Sequence, residues 1–585
     1  MKQFLITVGG VLVGLLIFIF VLPVVLIGMI ASSAGHREAQ PSHMVLSLDL
    51  RQPMSDQSSP NPFASLSGES SLLSTLQRID AAANDRAVEG LYIRANTQGM
   101  SAAQAEEIRT ALANFRHAGK FVVAHLQNDG VRMSMPGFMA VADADEVWLQ
   151  GASEFMPMGL SAEQTFFADT LQRYHMQAQF ETRETYKTAA DELTQRGFTP
   201  ANREELTSLM NGLYDSMVAN IAADRSIPVP QARAAIEATP FTAQHAVELH
   251  LVDKLGRPEE AERAAQARAN NAPVVDFADY QGRSNTTGPV IAVVQGEGAI
   301  VSGPEEHSLF NSDSQMNSDR IARALLDASA DDNVKAIVFR VSSPGGSVVA
   351  SDQILAALRT ARERGKKIVV SMGEVAASGG YYVAAEADEI VAEPTTITGS
   401  IGVLGGKLII GPAMEHYLSA HTDRITVGSP YVTMFSNDTA FTPAERAAFA
   451  GFIDRAYADF QGIVARGRHL TADQVHAVAQ GRVWTGQQAL ERHLVDHLGG
   501  FSVAVARARA LAGIAENSQV QLRFYPEAPS GLRAFTRLLG GSSESAESLA
   551  RIATVLSDPR VQQSLAALRE EDANVRAESQ HVDIR

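Results

Sequence analysis

Two glycine-rich turns in one stretch of this chain combine a serine with candidate backbone donors. Ser342-Ser343-Pro344-Gly345-Gly346-Ser347 directly follows the apolar run Ile337-Val338-Phe339. About thirty residues on, Ala376-Ala377-Ser378-Gly379-Gly380-Tyr381-Tyr382 follows a second apolar run, Ile368-Val369-Val370. Glycine has no Cβ, so backbone N–H groups there can face a ligand. A serine at a strand-to-helix turn exposes its hydroxyl, and the N–H groups after it lie at a helix N-terminus, which favours negative charge. Ser378 is thus a candidate nucleophile, with Gly346 and Gly379 N–H as candidate donors to a tetrahedral oxyanion. Either turn alone is commonly a structural device; the pair in one unit points to chemistry.

A serine nucleophile needs a base. The 15 His include no evident partner: His245, His250, His493 and His497 read as surface positions, and His416 lies in a helix-like stretch. A Lys is the other candidate, and an internal repeat points to one. Thr242 to Gly256 aligns with Thr485 to Gly499, an offset of 243 residues, and the same offset pairs Ala144-Asp145-Glu146-Val147 with Ala387-Asp388-Glu389-Ile390. Near the start of each copy the offset is 246, from Val88 to Val334, which places a three-residue slip in a loop. Under the 243 offset Ser378 faces Met135, so the first copy lacks the serine. It also has Ala95-Asn96-Thr97-Gln98-Gly99 where the second has Pro-Gly-Gly. Conversely, Lys187, in Glu184-Thr185-Tyr186-Lys187, faces Pro430. One copy keeps the serine and the other a lysine. A single site between the copies requires that they pack together.

Each copy must supply strands and crossover helices to hold these turns. Leu91-Tyr92-Ile93 and Phe121-Val122-Val123 flank a helical pattern of Ile108, Ala111, Leu112 and Phe115. In the second copy Ile354, Leu355, Leu358 and Ala361 mark one helical face over 351–364. Strands separated by helices imply a parallel sheet. The turn-rich 271–287 reads as a linker. Residues from 525 onward read as a peripheral tail.

Composition narrows the function. The chain has 585 residues, 45% apolar and 20% charged, with 49 Lys+Arg against 66 Asp+Glu and a net charge of −17. These are values of a globular protein, and the acidic balance argues against nucleic acid as a partner. No Cys is present, which excludes thiolate nucleophiles, disulfides and Cys-based metal sites. Phe4 to Ile30 carries no charge and exceeds the ~20 residues that cross a bilayer. It reads as a retained anchor, although Ala31-Ser32-Ser33-Ala34 leaves cleavage as an alternative. Lys2 favours the N-terminus inside and the body outside; Arg37 weakens that bias.

Ser-Pro-Gly-Gly-Ser at 343–347, Ala-Ser-Gly-Gly-Tyr at 377–381, Thr-Gly-Ser-Ile-Gly at 398–402 and Thr-Tyr-Lys at 185–187 resemble the signal peptide peptidase family in its long, duplicated, membrane-anchored form. The resemblance covers nearly the whole chain to about residue 515. It implies an α/β fold: two tandem copies of a Clp/crotonase-like spiral domain after one transmembrane helix. The divisions are an anchor over 4–30, an N-terminal repeat over 44–270, a linker over 271–287, a C-terminal repeat over 288–515 and a tail over 525–585. It implies a Ser–Lys dyad of Ser378 and Lys187, Ser400 hydrogen-bonded to the lysine, and an oxyanion hole of Gly346 and Gly379 N–H. No cofactor or metal is implied. Further implications are a homotetramer on the periplasmic side of a bacterial inner membrane and cleaved signal peptides as substrates. Glu184 and the Asp191-Glu192 pair depart from the family pattern and are expected to face solvent. The competing readings are an acyl-CoA hydratase-like enzyme and a non-catalytic membrane scaffold. Neither explains the reciprocal loss of Ser and Lys.

Such a dyad makes a physical demand. A free Lys titrates near ~10.4 and a base should titrate nearer ~7, a difference worth about 4.6 kcal/mol. Desolvation can supply it, so Lys187 is expected in a water-poor cleft touching Ser378 and Ser400.

Overall fold

The computed structural model describes residues 40–57, 71–95, 100–126, 133–282, 287–304, 314–516, 518–526 and 583–584. The expected anchor over 4–30 and most of the expected tail lie outside them. Among the described residues no helix is long and apolar enough to cross a membrane.

The repeat seen in the sequence is a repeat of sheet topology. The first sheet runs in the order Val274–Asp276, Met44–Asp49, Val88–Ala95, Phe121–Leu126, Glu146–Leu149, Lys254–Leu255, every pair parallel. In the second sheet Gln521–Tyr525, Val290–Glu297, Val334–Ser343, Lys367–Ala377, Glu389–Ala392 and His497–Leu498 follow the same order, again all parallel. Even registers match: Trp148 pairs with Lys254, and Val391 with His497, each 243 positions on. The central strands are apolar runs buried on both faces, as helix-covered parallel sheets require; Ile337, Val338 and Phe339 have no exposed surface. Two edge strands fall outside the expected divisions. Val274–Asp276 lies within the stretch read as a linker, yet it closes one edge of the first sheet. Gln521–Tyr525 does the same for the second.

Helices start where local chemistry satisfies their first N–H groups. Ser347 accepts from the Ala350 N–H and opens Val348–Glu363, ahead of the apolar stripe that begins at Ile354. Thr199 and Thr442 cap the long equivalent helices Pro200–Asp224 and Pro443–Arg468.

Among the described residues, three joints between the copies bear on the site. Strand Gln177–Thr182 of the first pairs antiparallel with Leu404–Ile409 of the second. Helix Pro200–Asp224 packs on strand Val483–Thr485: Val483 N–H donates to Glu205 Oε1 at 2.7 Å. The third joint is a buried ionic cluster. Arg340, on a strand of the second sheet and 1% exposed in its side chain, pairs with Asp56 and Glu107 from the first copy. Glu107 also accepts from Phe501 N–H, and Glu106 from the Thr395 N–H and hydroxyl. Removing one partner from such a cluster would strand a buried charge.

Candidate active site

Strand Lys367–Ala377 delivers Ser378 to the mouth of the second sheet, and helix Gly379–Ala384 leads away from it. Ser378 sits at φ 54°, ψ −117°, a conformation costly for a residue with a side chain. Its N–H donates to Gly399 carbonyl and its carbonyl accepts from Tyr382 N–H, both at 2.9 Å. These bonds hold the sharp turn. At the matching turn of the first copy, Ser134 has an ordinary φ of −67° and caps helix Met135–Val141.

The turn over 343–347 comes up beside it. Gly345 has φ 104°, and a Cβ there would lie 2.7 Å from Gly379 N and 2.8 Å from Ser378 Cβ. A Cβ on Gly379 would lie 3.1 Å from Gly346 N. The Gly346 and Gly379 N–H groups are therefore neighbours, and only residues without side chains allow the approach. Neither N–H donates to a backbone carbonyl among the described residues. The neighbouring amides are committed: Ser347 N–H donates to Ile300 carbonyl at 2.9 Å and Gly345 N–H to Ser343 Oγ at 3.1 Å.

Lys187 enters from the first copy, on the loop after strand Gln177–Thr182. Arg183 N–H donates to Val403 carbonyl and Tyr186 N–H to Gln480 carbonyl, fastening the loop to the second copy just ahead of Lys187. Gly481, at φ 81°, lets the backbone of Lys187 pass; a Cβ there would stand 2.6 Å from Lys187 N. The lysine is 8% exposed. Its Nζ donates to Ser378 Oγ at 3.1 Å, Ser400 Oγ at 2.9 Å and Ser400 carbonyl at 3.0 Å. Ser400 itself is held at φ 49° by its N–H bond to Arg482 carbonyl at 2.7 Å.

Burial pushes the Lys187 amine down to about 8, against an opposing pull from Glu205. A neutral amine has two N–H groups and one lone pair. With both N–H groups on Ser400, the lone pair is left facing the Ser378 hydroxyl. The arrangement can therefore take a proton from Ser378 and return it.

The structure brings Ser378, Lys187, Ser400, Gly346 and Gly379 to one place. Glu184, Asp191 and Glu192 are half-buried rather than solvated, but none of them is the carboxylate that acts on the lysine. That carboxylate is Glu205, 4% exposed, which the sequence reading missed. Its signal was slight: one of two adjacent glutamates in an unremarkable helical run. The candidate His residues lie elsewhere; His416 packs against His175 where the copies meet.

Comparison with known proteins identifies the family. The model of peptidase family S49 matches twice, at residues 114–272 and 360–515, and that of Clp protease matches 308–397. Protease 4 of Salmonella typhi is 32% identical over 493 residues, covering 81% of this chain and 77% of that protein. Protease 4 of Haemophilus influenzae is 28% identical, covering 76% and 73% respectively. The chloroplastic serine protease SPPA of Arabidopsis thaliana is 27% identical, covering 82% and 70%. The chain is a serine protease built on a duplicated Clp-like α/β unit. It belongs to peptidase family S49, the signal peptide peptidases, in their duplicated form.

Proposed function

We propose that this chain is a membrane-anchored endopeptidase whose nucleophile, Ser378, and general base, Lys187, come from different copies of the repeat. The observation that carries this reading is the 3.1 Å contact from Lys187 Nζ to Ser378 Oγ, with Ser400 taking the other two amine bonds. Neutral Lys187 removes the hydroxyl proton as Oγ attacks the scissile carbonyl. The oxyanion is received by Gly346 and Gly379 N–H. The ammonium then protonates the leaving amine, and water, activated by the same lysine, releases the acyl group from Ser378. Peptide hydrolysis by the purified protein beside Ser378→Ala and Lys187→Ala tests the assignment. An activated-serine probe that fails to label Ser378 would return the hydratase-like and scaffold readings.

The substrates proposed are cleaved signal peptides and other short apolar peptides. A tether over 4–30 keeps the body where such peptides leave the bilayer, on the periplasmic face of a bacterial inner membrane. Protease protection in intact cells tests the side.

The repeat also supports the homotetramer. Within the chain, 177–182 of copy one pairs with 404–409 of copy two. The same rule, 243 positions on, would pair 420–425 of one chain with 161–166 of the next. Ile425 is 95% and Val427 89% exposed. Ala162–Glu163 pairs with Asp583–Ile584 of its own chain, a short pairing that the neighbour's strand would replace. Repeating one heterologous contact closes a ring where the rotation between neighbours closes.

A further inference from the structure

Glu205 has no place in the acyl-transfer steps, yet it is buried against the site they use. It stands on helix Pro200–Asp224 of the first copy and accepts the Val483 N–H from the second at 2.7 Å. Val483 begins the strand that pairs antiparallel with Ile397–Gly399, and the Arg482 carbonyl just before it fixes the Ser400 N–H. One carboxylate thus braces the backbone that carries Ser400, which in turn holds Lys187 Nζ. The charged groups that face Glu205 are Arg482, Lys187 and its neighbour Glu204. Arg482 is engaged with Glu204 at 2.9 Å and lies over the Tyr186 and Trp484 rings.

We infer that Glu205 is a positioning residue that shifts the pH range of the protease: through Val483 it braces the backbone that holds Ser400, and its charge opposes the deprotonation of Lys187. The inference rests on the Ser378–Lys187 reading. An ionised Glu205 favours the ammonium form of Lys187, which is the inactive form of a base. Burial raises Glu205 to about 7, so its charge develops just below the range in which the lysine titrates. Ionisation of the first then delays deprotonation of the second. The two protons leave as a coupled pair, and the activity profile reports macroscopic values.

Glu205→Gln keeps an oxygen for the Val483 N–H and deletes the charge. The acid limb of kcat/KM is expected to move to lower pH by about 0.5–1 unit, with the high-pH plateau retained. Glu205→Ala should lose plateau rate as well, because the Val483 N–H is left unpaired. A Gln variant whose profile overlays that of the unmodified protein would overturn the inference, leaving Glu205 a structural bond only. Should the Gln variant not fold, Glu205→Asp keeps the charge on a shorter arm. It should then show a lowered plateau with the limb unmoved, and a limb moved to lower pH would contradict the inference. Carbon-13 NMR of the lysine side chains, with Lys187→Met identifying the signal, reads the amine without activity. Retained activity in Lys187→Ala would instead mean that the dyad reading itself has failed.

Discussion

Lys187 and Ser378 stand 191 positions apart in the chain and 3.1 Å apart in space, and each sits in a different copy of one duplicated unit. The contact spans two sheets that share one six-strand order. In the proposed mechanism each copy supplies one of the two reacting groups, and the inter-copy bonds at Arg183, Tyr186 and Glu205 hold the two together. Five measurements test this account.

Activity should depend on the neutral amine of Lys187. Burial lowers that group to about 8, so the protonated, inactive form dominates below this value. The logarithm of kcat/KM should rise with pH along a limb centred near 8, and flatten above it. An optimum at pH 5 with decline above 6 would contradict a lysine base.

Ser378→Ala and Lys187→Ala should each reduce peptide hydrolysis by at least about 10³-fold, with circular dichroism unchanged. Ser400→Ala leaves its carbonyl as one acceptor for the amine and should cost about tenfold in kcat. Retention of full activity in any of the three excludes that residue from the role given to it.

Lys187 is held at a cost to stability. A lysine titrating near 10.5 when unfolded and about 8 when folded destabilises the native state by about 3 kcal/mol once pH is below both values. The cost fades as pH rises from 8 towards 10.5, because both states then carry the neutral amine. Lys187→Met should be inactive, and its melting temperature relative to the unmodified protein should be more favourable at pH 7 than at pH 10. The three lost amine hydrogen bonds to Ser378 and Ser400, about 1 kcal/mol each, are of the same size as the burial cost, so the pH dependence of the difference carries the test. A difference that stays constant from pH 7 to pH 10 would contradict the cost assigned to burial.

Gly346→Ala should damage the oxyanion hole. A Cβ there would lie 2.2 Å from Ile300 carbonyl oxygen, so the turn must shift and its N–H with it. Loss of one such donor typically costs about 10²–10³-fold in kcat. Thermal unfolding should also fall, whereas binding of a peptide to the Ser378→Ala background should change less.

The absence of Cys makes the proposed ring open to direct test. Under the 243 offset Arg424 of one chain would face Ala162 of the next, as Glu181 faces Gly405 within the chain. Ala162→Cys combined with Arg424→Cys should give disulfide-linked oligomers under mild oxidation, and either variant alone should not. Monomers throughout would argue against this contact.

Much of this protein was legible in its sequence because duplication provides an internal control. Comparing Ser378 with Met135 and Lys187 with Pro430 singled out two side chains that the fold brings within 3.1 Å, and the glycine turns marked Gly346 and Gly379, which lie beside them. The apolar runs and the caps at Ser347, Thr199 and Thr442 are local signals, so the strands and helices that carry these residues could be read from short windows. Whether the copies meet is not a local property. It depends on the pairing of 177–182 with 404–409, on the Arg340 cluster and on a bond from Glu205 to a backbone 278 positions away. Only the folded chain decides the protonation of Lys187, because desolvation is a property of the surroundings and not of the residue. Glu205 is the clearest case. In sequence it is one more glutamate on a solvated-looking helix, and packing turns it into the carboxylate nearest in effect to the base.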